Sequence, residues 1–167
     1  MQKVIFLDVD GVLNSLPYSE RMADSKNAEL NPENIENLAK IQHSTNADII
    51  LCSTWKQCDT PDIPECYEIY TMLTNTLAKH NMTIKDKTTD VNGHRPTEIK
   101  SWLDKHPDVT HYVILDDDYT PDDYKTVSLD KHLVQTKYFC LKESEGGIQP
   151  EHIIKAIDIL NNTPQTS

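Results

Sequence analysis

The chain has 167 residues, of which 37% are hydrophobic and 7% aromatic, and its formal net charge is -11. This length and composition fit one compact domain with a real core, so we expect a single domain over residues 1–167. The acidity disfavours sequence-independent binding to duplex nucleic acid, which needs a basic surface.

The sequence also disfavours a membrane-spanning protein and a secreted protein. No stretch approaches the roughly 20 apolar residues of a membrane span, and the first apolar run is too short and too acidic for a signal peptide. We therefore expect no membrane partner and a cytoplasmic location. The cysteines show no CxxC spacing, which predicts free thiols in a reducing compartment at Cys52, Cys58, Cys66 and Cys140.

Short apolar strands alternate with amphipathic helices along the chain. Strands are predicted at 3–7, 47–52, 82–84, 111–115 and 132–136. Helices are predicted from Asn31-Pro32, around Ile69, Leu73 and Leu77, over 96–105, and from Gln149-Pro150 with Ile153, Ile154, Ile157 and Leu160 facing inward. Loops are expected at 15–31, 57–65 and 85–94, and a frayed tail at 161–167.

This alternation predicts an α/β fold with a mostly parallel sheet and helices on both faces. In such folds, sites lie at the carboxyl ends of the strands. Polar residues stand at those ends in this sequence: Asp8 and Asp10 follow the first strand, Ser53 and Thr54 the second, and three aspartates a later one.

Asp8 and Asp10 are the first candidate pair. Alternate residues of a strand point the same way, and two carboxylates held close together raise each other's pKa. The pair therefore indicates a cation, a proton or a reaction that uses both groups. One interpretation is a nucleophilic carboxylate beside a general acid–base; the other is a plain Asp-Gly turn.

Asp116, Asp117 and Asp118 directly follow an apolar strand. Either they form a solvated acidic turn, or they contribute with Asp8 and Asp10 to a site for Mg²⁺, which takes oxygen ligands. The residues themselves do not decide which of the three would bind the ion.

Hydroxyl and basic side chains supply candidate phosphate ligands. Ser53 and Thr54 are either helix-capping residues or ligands of a phosphate oxygen. Arg95, Lys100 and the weaker candidate Lys56 are either surface charges or cations that pair with a carboxylate and an incoming phosphate.

The ordered set Asp8-Val9-Asp10-Gly11-Val12, Ser53, a basic residue and Leu115-Asp116-Asp117 resembles the haloacid dehalogenase-like (HAD) phosphohydrolase superfamily. The stretches Ile-Leu-Cys-Ser-Thr-Trp-Lys, at 50–56, and Arg-Pro-Thr-Glu-Ile-Lys-Ser-Trp-Leu, at 95–103, are similar to a small capless branch grouped with HAD domains of polynucleotide repair proteins.

The resemblance implies a Rossmann-like three-layer α/β/α fold and Mg²⁺-dependent phosphotransfer. Asp8 would form an aspartyl-phosphate, Asp10 would act as general acid and base, and Ser53 would bind phosphoryl oxygens. Arg95 would stand at the basic motif, although the superfamily more often has lysine there, which leaves Lys100 open. The metal ligands would be Asp8, the Asp10 carbonyl, Asp116 and Asp117.

The segments between these motifs leave no room for a large cap domain, so a phosphorylated substrate of larger size could enter the site. A polynucleotide-end phosphatase is one alternative. Another is a receiver-like or non-catalytic phosphate-binding signalling module. A receiver, however, carries its acidic cluster after the first strand and its hydroxyl after the acceptor aspartate. In this sequence the hydroxyl residues Ser53 and Thr54 instead precede the three aspartates at 116–118.

Overall fold

The computed structural model describes residues 2–24 and 29–162, and a five-stranded parallel sheet lies at its centre. The strands run in the order β3-β2-β1-β4-β5 across the sheet. They are β1 (Gln2–Leu7), β2 (Asp48–Leu51), β3 (Ile84–Lys87), β4 (Val109–Asp116) and β5 (Leu133–Gln135). The predicted parallel α/β architecture is confirmed.

Six helices of the described chain cover the two faces of this sheet. They are α1 (Leu16–Arg21), α2 (Pro32–Thr45), α3 (Pro64–Lys79), α4 (Arg95–Asp104), α5 (Pro121–Lys125) and α6 (Pro150–Asn161). Each of them has a proline in its first or second position, where the missing N–H costs no hydrogen bond. Proline therefore indicates, in the sequence alone, where each of these helices begins.

The core is divided by the sheet into two layers. Ile5 and Leu7 of β1 pack with α2, α3 and α6, whereas Val4 and Phe6 pack on the opposite side with α4 and α5. Successive strand residues point to opposite faces, so a strand covered on both sides must be apolar at every position. This explains the unbroken apolar run that precedes Asp8.

Several predicted boundaries are corrected by the structure. The third strand begins at Ile84 and includes residues expected in a loop, because as an edge strand it needs only backbone pairing with β2. The short helices α1 and α5 fell in segments without an apolar period. Ile154, expected to face inward, is 72% exposed on α6. Asn161 still belongs to α6, and the rest of the expected tail, 163–167, lies outside the described residues.

The prediction of four free thiols is wrong for two of them, because Cys58 and Cys66 form a disulfide. Cys58 ends a 3₁₀ helix over Thr54–Cys58, and Cys66 lies in the first turn of α3. The intervening loop returns the chain on itself, so the two Cα atoms are 4.9 Å apart although the cysteines are eight positions apart in the sequence. A search for CxxC spacing misses such a pair. Cys52 and Cys140 are free.

No large cap domain is found in the described part of the chain. The segment after Asp10 contains α1, and the segment between β2 and α4 contains the 3₁₀ helix, α3 and β3. Within residues 2–24 and 29–162, none of the helices has the length and apolar character that crossing a membrane requires.

Candidate active site

The carboxyl ends of three neighbouring strands bring the candidate residues together. Leu7 of β1 pairs in register with Leu51 of β2 and Leu115 of β4. The pairing continues one residue further, since the Asp8 N–H donates to the Leu115 carbonyl at 3.1 Å. Asp8 and Asp116 therefore lie side by side where the strand order reverses, which is the usual ligand position in such sheets.

Arg95, the first residue of α4, forms the centre of a buried ionic cluster. Its Nη1 donates to Asp8 Oδ2 at 2.7 Å and also to Asp116 Oδ1. All three side chains are almost completely buried. A buried charge is tolerated only when it is paired, so one guanidinium compensates two carboxylates here.

Burial also changes the proton affinity of the carboxyl groups. Removal from water raises the pKa of Asp8 to about 7; Asp116 adds to the rise, while Arg95, the Val9 N–H and the Ser53 hydroxyl oppose it. Burial, with the charges of Asp116 and Asp118, raises the pKa of Asp117 to about 6. This cluster has more negative charge than Arg95 compensates.

The acidic triplet divides into three different environments. Both oxygens of Asp116 already accept hydrogen bonds: besides Arg95, the donors are the Asp118 N–H at 3.0 Å and the Tyr124 hydroxyl at 2.6 Å. Asp117 is half-buried, and no other residue that the structure describes donates a hydrogen bond to its carboxylate. The side chain of Asp118 is exposed. Asp116 therefore orients Arg95, whereas the oxygens of Asp117 remain available to bind a metal ion.

Gly11 allows Asp117 to approach the first motif. Its φ of +72° is in the left-handed region, and a Cβ at this position would lie 2.1 Å from the Asp117 side chain. Any other residue would displace the Asp117 side chain from its present position.

The three carboxylates fit a hard divalent cation. Asp8, Asp116 and Asp117 each offer an oxygen, and these atoms lie within 4.8 Å of one another. Mg²⁺ is bound through one or two carboxylates together with water and substrate phosphate. Asp116 accepts three hydrogen bonds and does not line the cavity, whereas Asp8 accepts two, from the Val9 N–H and from Arg95, and lines the cavity with Asp117. Asp8 and Asp117 are therefore the carboxylates best suited to hold the ion.

Asp10 lies at the exposed mouth of the site and is held by two neutral donors. Its Oδ1 accepts from the Asn14 side chain and its Oδ2 from the Trp55 indole N–H, each at 2.9 Å. Asn14 Oδ1 in turn accepts from the Gly11 N–H at 2.8 Å. The carboxylate is therefore fixed in direction while remaining accessible to water.

Sequence reasoning identified neither Asn14 nor Trp55 as a site residue. Trp55 does belong to the core, but it also supports Asp10. Asn14 could have been found from its position in the same tight turn as Asp10 and Gly11, where a buried amide needs partners. No sequence signal linked Trp55 to Asp10, which is 45 residues away.

The hydroxyl and basic candidates have different locations. Ser53 is buried and caps the 3₁₀ helix, and Thr54 lines the cavity above Asp8. Lys100 is paired with Asp104 on the exposed side of α4, away from the cluster, and Lys56 is paired with buried Glu98. Arg95 is thus the basic side chain that contacts Asp8.

A cavity of about 240 Å³ opens above this cluster. Its lining residues are acidic, basic, hydroxyl and aromatic: Asp8, Asp10, Thr54, Arg95, Asp117, Asp118, Tyr138 and Phe139. The cavity therefore joins a carboxylate nucleophile candidate, a cation and an exposed carboxylate, as a site for a phosphate ester requires.

A family model matches most of the chain. Residues 4–144 match the family model described as the HAD domain in Swiss Army Knife RNA repair proteins. The fold and site define the class of HAD-like phosphohydrolases. The chain belongs to the family of HAD domains found in Swiss Army Knife RNA repair proteins.

A solved structure supports the same fold. D,D-heptose 1.7-bisphosphate phosphatase from B. bronchiseptica, crystallised with magnesium and phosphate, is similar with a TM-score of 0.55 and 16% identity. The match covers 95% of this chain and 97% of that chain. No curated protein matches the sequence.

Proposed function

We propose that this protein is a Mg²⁺-dependent phosphatase that acts through an aspartyl-phosphate on Asp8. The observation that carries the proposal is the buried contact of Asp8 with Arg95, at the floor of a cavity whose mouth holds Asp10. Arg95 fixes one oxygen of Asp8 and reduces the negative charge that an incoming phosphate meets.

The reaction would proceed in two displacements. In the first, an Asp8 oxygen forms a bond to phosphorus while the ester bond breaks, and Asp10 gives a proton to the leaving oxygen. In the second, Asp10 takes a proton from water, whose oxygen attacks phosphorus and breaks the bond to Asp8. Asn14 and Trp55 keep Asp10 in position for both steps.

Asp8, Asp117 and the Asp10 carbonyl would hold Mg²⁺. The ion, when bound, would neutralise carboxylate repulsion and negative charge on the phosphoryl oxygens. Ser53 and Thr54 would bind the same phosphoryl group; Thr54 lines the cavity, and Ser53 is buried just after the end of β2.

The substrate class to test first is a phosphate at a polynucleotide end. The family takes its description from RNA repair proteins, and an uncapped cavity can receive the end of a long chain. The net charge of -11 opposes extended binding to a nucleic-acid backbone, so contacts confined to the terminal nucleotide are favoured. The cytoplasmic location stays a prediction.

The test is release of inorganic phosphate from nucleotides, sugar phosphates, phosphopeptides and phosphorylated oligonucleotides, with and without Mg²⁺. Asp8→Asn should lower turnover at least about 1000-fold, because loss of a nucleophile removes the covalent path. Asp104→Asn, which changes an exposed carboxylate on α4, is the matched control. Wild-type turnover by Asp8→Asn would contradict the proposal.

A further inference from the structure

Two adjacent aromatic residues, Tyr138 and Phe139, form a ledge beside the catalytic carboxylates. They line the cavity that contains Asp8 and Asp10, and they also line a second cavity of about 330 Å³ with Asp117 and Lys137. The aromatic ledge therefore stands between the reaction centre and a neighbouring open volume.

The backbone leading to the ledge is fixed although the Phe139 side chain is not covered. The Thr136 N–H donates to the Asp116 carbonyl at 3.0 Å, and its hydroxyl donates to the Gly11 carbonyl at 2.6 Å. The Tyr138 carbonyl accepts from the Leu16 N–H at 2.9 Å. The segment is thus tied to the first and last motifs of the site.

Phe139 is nevertheless 78% exposed. Its ring lies perpendicular to the Tyr138 ring, with 5.1 Å between the ring centroids, and most of its surface is open to a planar ligand. An exposed phenylalanine at the rim of a polar site gains free energy when a second apolar surface covers it.

We propose that the aromatic ledge stacks on the nucleobase adjacent to the phosphate that is removed. The inference rests on the proposed phosphatase function and adds the class of leaving group: a nucleoside whose base is free to stack. Base–aromatic stacking is the contact that single-stranded nucleic acids offer to proteins without requiring a particular sequence.

The charge of the protein favours this mode of recognition. A chain with 27 acidic and 16 basic residues repels a phosphate backbone, whereas stacking does not depend on net charge. Bases inside a duplex are already stacked, so the ligand is a mononucleotide or an unpaired strand end. These two sources share the chemistry of a base next to a phosphomonoester, and experiment distinguishes them.

The first experiment compares hydrolysis of adenosine 5′-monophosphate with that of ribose 5-phosphate, which lacks the base. A 5′-phosphorylated oligonucleotide and the same strand with an abasic terminal residue form the second pair. For each variant, the measured quantity is the ratio of kcat/KM between the two members of a pair. A 3′-phosphorylated pair repeats the comparison at the other end.

Phe139→Ala should lower this ratio by about 5- to 150-fold, which corresponds to about 1–3 kcal/mol for one stacked base. Phe139→Tyr should retain most of the preference. Leu141→Ala is the matched control, since Leu141 is 92% exposed on the same segment but does not line either cavity. A loss confined to the oligonucleotide pair identifies a strand end as the ligand.

The inference is overturned if the wild type shows no preference for the base-bearing member, or if Phe139→Ala leaves the ratio unchanged. Failure of the proposed function is a separate result: no turnover of any ester by the wild type. In that case, the affinity of the fluorescent oligonucleotide pair for the wild type and for Phe139→Ala tests the stacking contact independently of turnover. Weaker binding of the base-bearing strand by Phe139→Ala than by the wild type supports the contact, and equal binding rejects it.

Discussion

The site has an inner half and an outer half that differ in how their charges are satisfied. In the inner half, Asp8, Arg95 and Asp116 are buried and bind one another. In the outer half, Asp10 is held by two neutral donors, and the Asp117 carboxylate accepts no hydrogen bond from another described residue. The protein therefore pairs the charges of the inner half internally, while Asp10 and Asp117 stand beside Asp8 at the cavity, where an ion and a substrate can bind.

This difference assigns separate duties to neighbouring aspartates. Asp116 and Asp117 are adjacent in sequence, yet Asp116 orients Arg95 while Asp117 faces the cavity. Removing the cation of the inner half should therefore destabilise the fold, whereas replacing a polar side chain of the outer half should change ion binding or catalysis with little effect on the free energy of unfolding.

Arg95→Ala is the strongest way to break the inner half. It leaves Asp8 and Asp116 buried without their cation, and loss of one partner from a buried pair costs about 3–5 kcal/mol. Urea unfolding of the metal-free protein should show this loss. Lys100→Ala, which removes an exposed charge from the same helix, should change the free energy of unfolding by less than about 1 kcal/mol. Equal effects of the two variants would contradict the distinction.

Loss of the disulfide tests the support of the outer half. Replacing Cys58 and Cys66 by serine should lower the free energy of unfolding by about 2–3 kcal/mol, because it releases the closed loop of the unfolded chain. It should also loosen the 3₁₀ helix that carries Thr54 and Trp55 and so reduce kcat. Dithiothreitol should reproduce both effects in the wild type but not in the double variant; Cys140→Ser is the control.

The pH dependence of Mg²⁺ binding tests the excess negative charge. The pKa values of Asp8 and Asp117 are raised to about 7 and about 6, so protons compete with the ion below those values. Without Mg²⁺, the contribution of these two groups to the free energy of unfolding falls as pH rises from the ordinary aspartate pKa of 3.8 to the raised pKa values, because the unfolded chain loses these protons first. Mg²⁺ affinity should instead rise by up to about tenfold per pH unit for each proton displaced.

Calorimetric titration from about pH 5 to about pH 8 measures this change. Asp117→Asn should weaken Mg²⁺ binding and flatten its pH dependence, whereas Asp104→Asn, outside the site, should leave both unchanged. An affinity that is independent of pH would show that the ion is not bound by these carboxylates.

Trp55→Phe is the smallest expected change. It keeps an aromatic ring in the core but removes the N–H that Asp10 accepts, a bond worth about 1–2 kcal/mol. We expect kcat to fall about tenfold with little change in KM, and rapid-mixing kinetics should place the loss in both chemical steps. A change in KM alone would indicate that Trp55 contacts the substrate rather than positioning Asp10.

The sheet and the site's position could be predicted because both depend on local patterns. The apolar run before Asp8 and the one before Asp116 indicate buried parallel strands, and register brings their ends together. Asn31 was correctly predicted as a helix cap, since its side chain accepts from the Glu33 N–H.

The remaining features depend on contacts between distant residues. The Trp55–Asp10 hydrogen bond and the choice of Arg95 over Lys100 both follow from how α4 and the 3₁₀ helix pack, which no spacing rule expresses. The Cys58–Cys66 disulfide was missed because a loop, rather than a short motif, brings the two residues together.

The most direct test of the account is detection of the covalent phosphoryl group on Asp8. The protein is mixed with Mg²⁺ and the best substrate, quenched in acid during turnover and digested, and the peptide that contains Asp8 and Asp10 is analysed by mass spectrometry. We predict an added phosphoryl group on Asp8 in the wild type and none in Asp8→Asn. Rapid phosphate release with no adduct on Asp8 at any quench time, or with the adduct on another residue, would contradict the central claim.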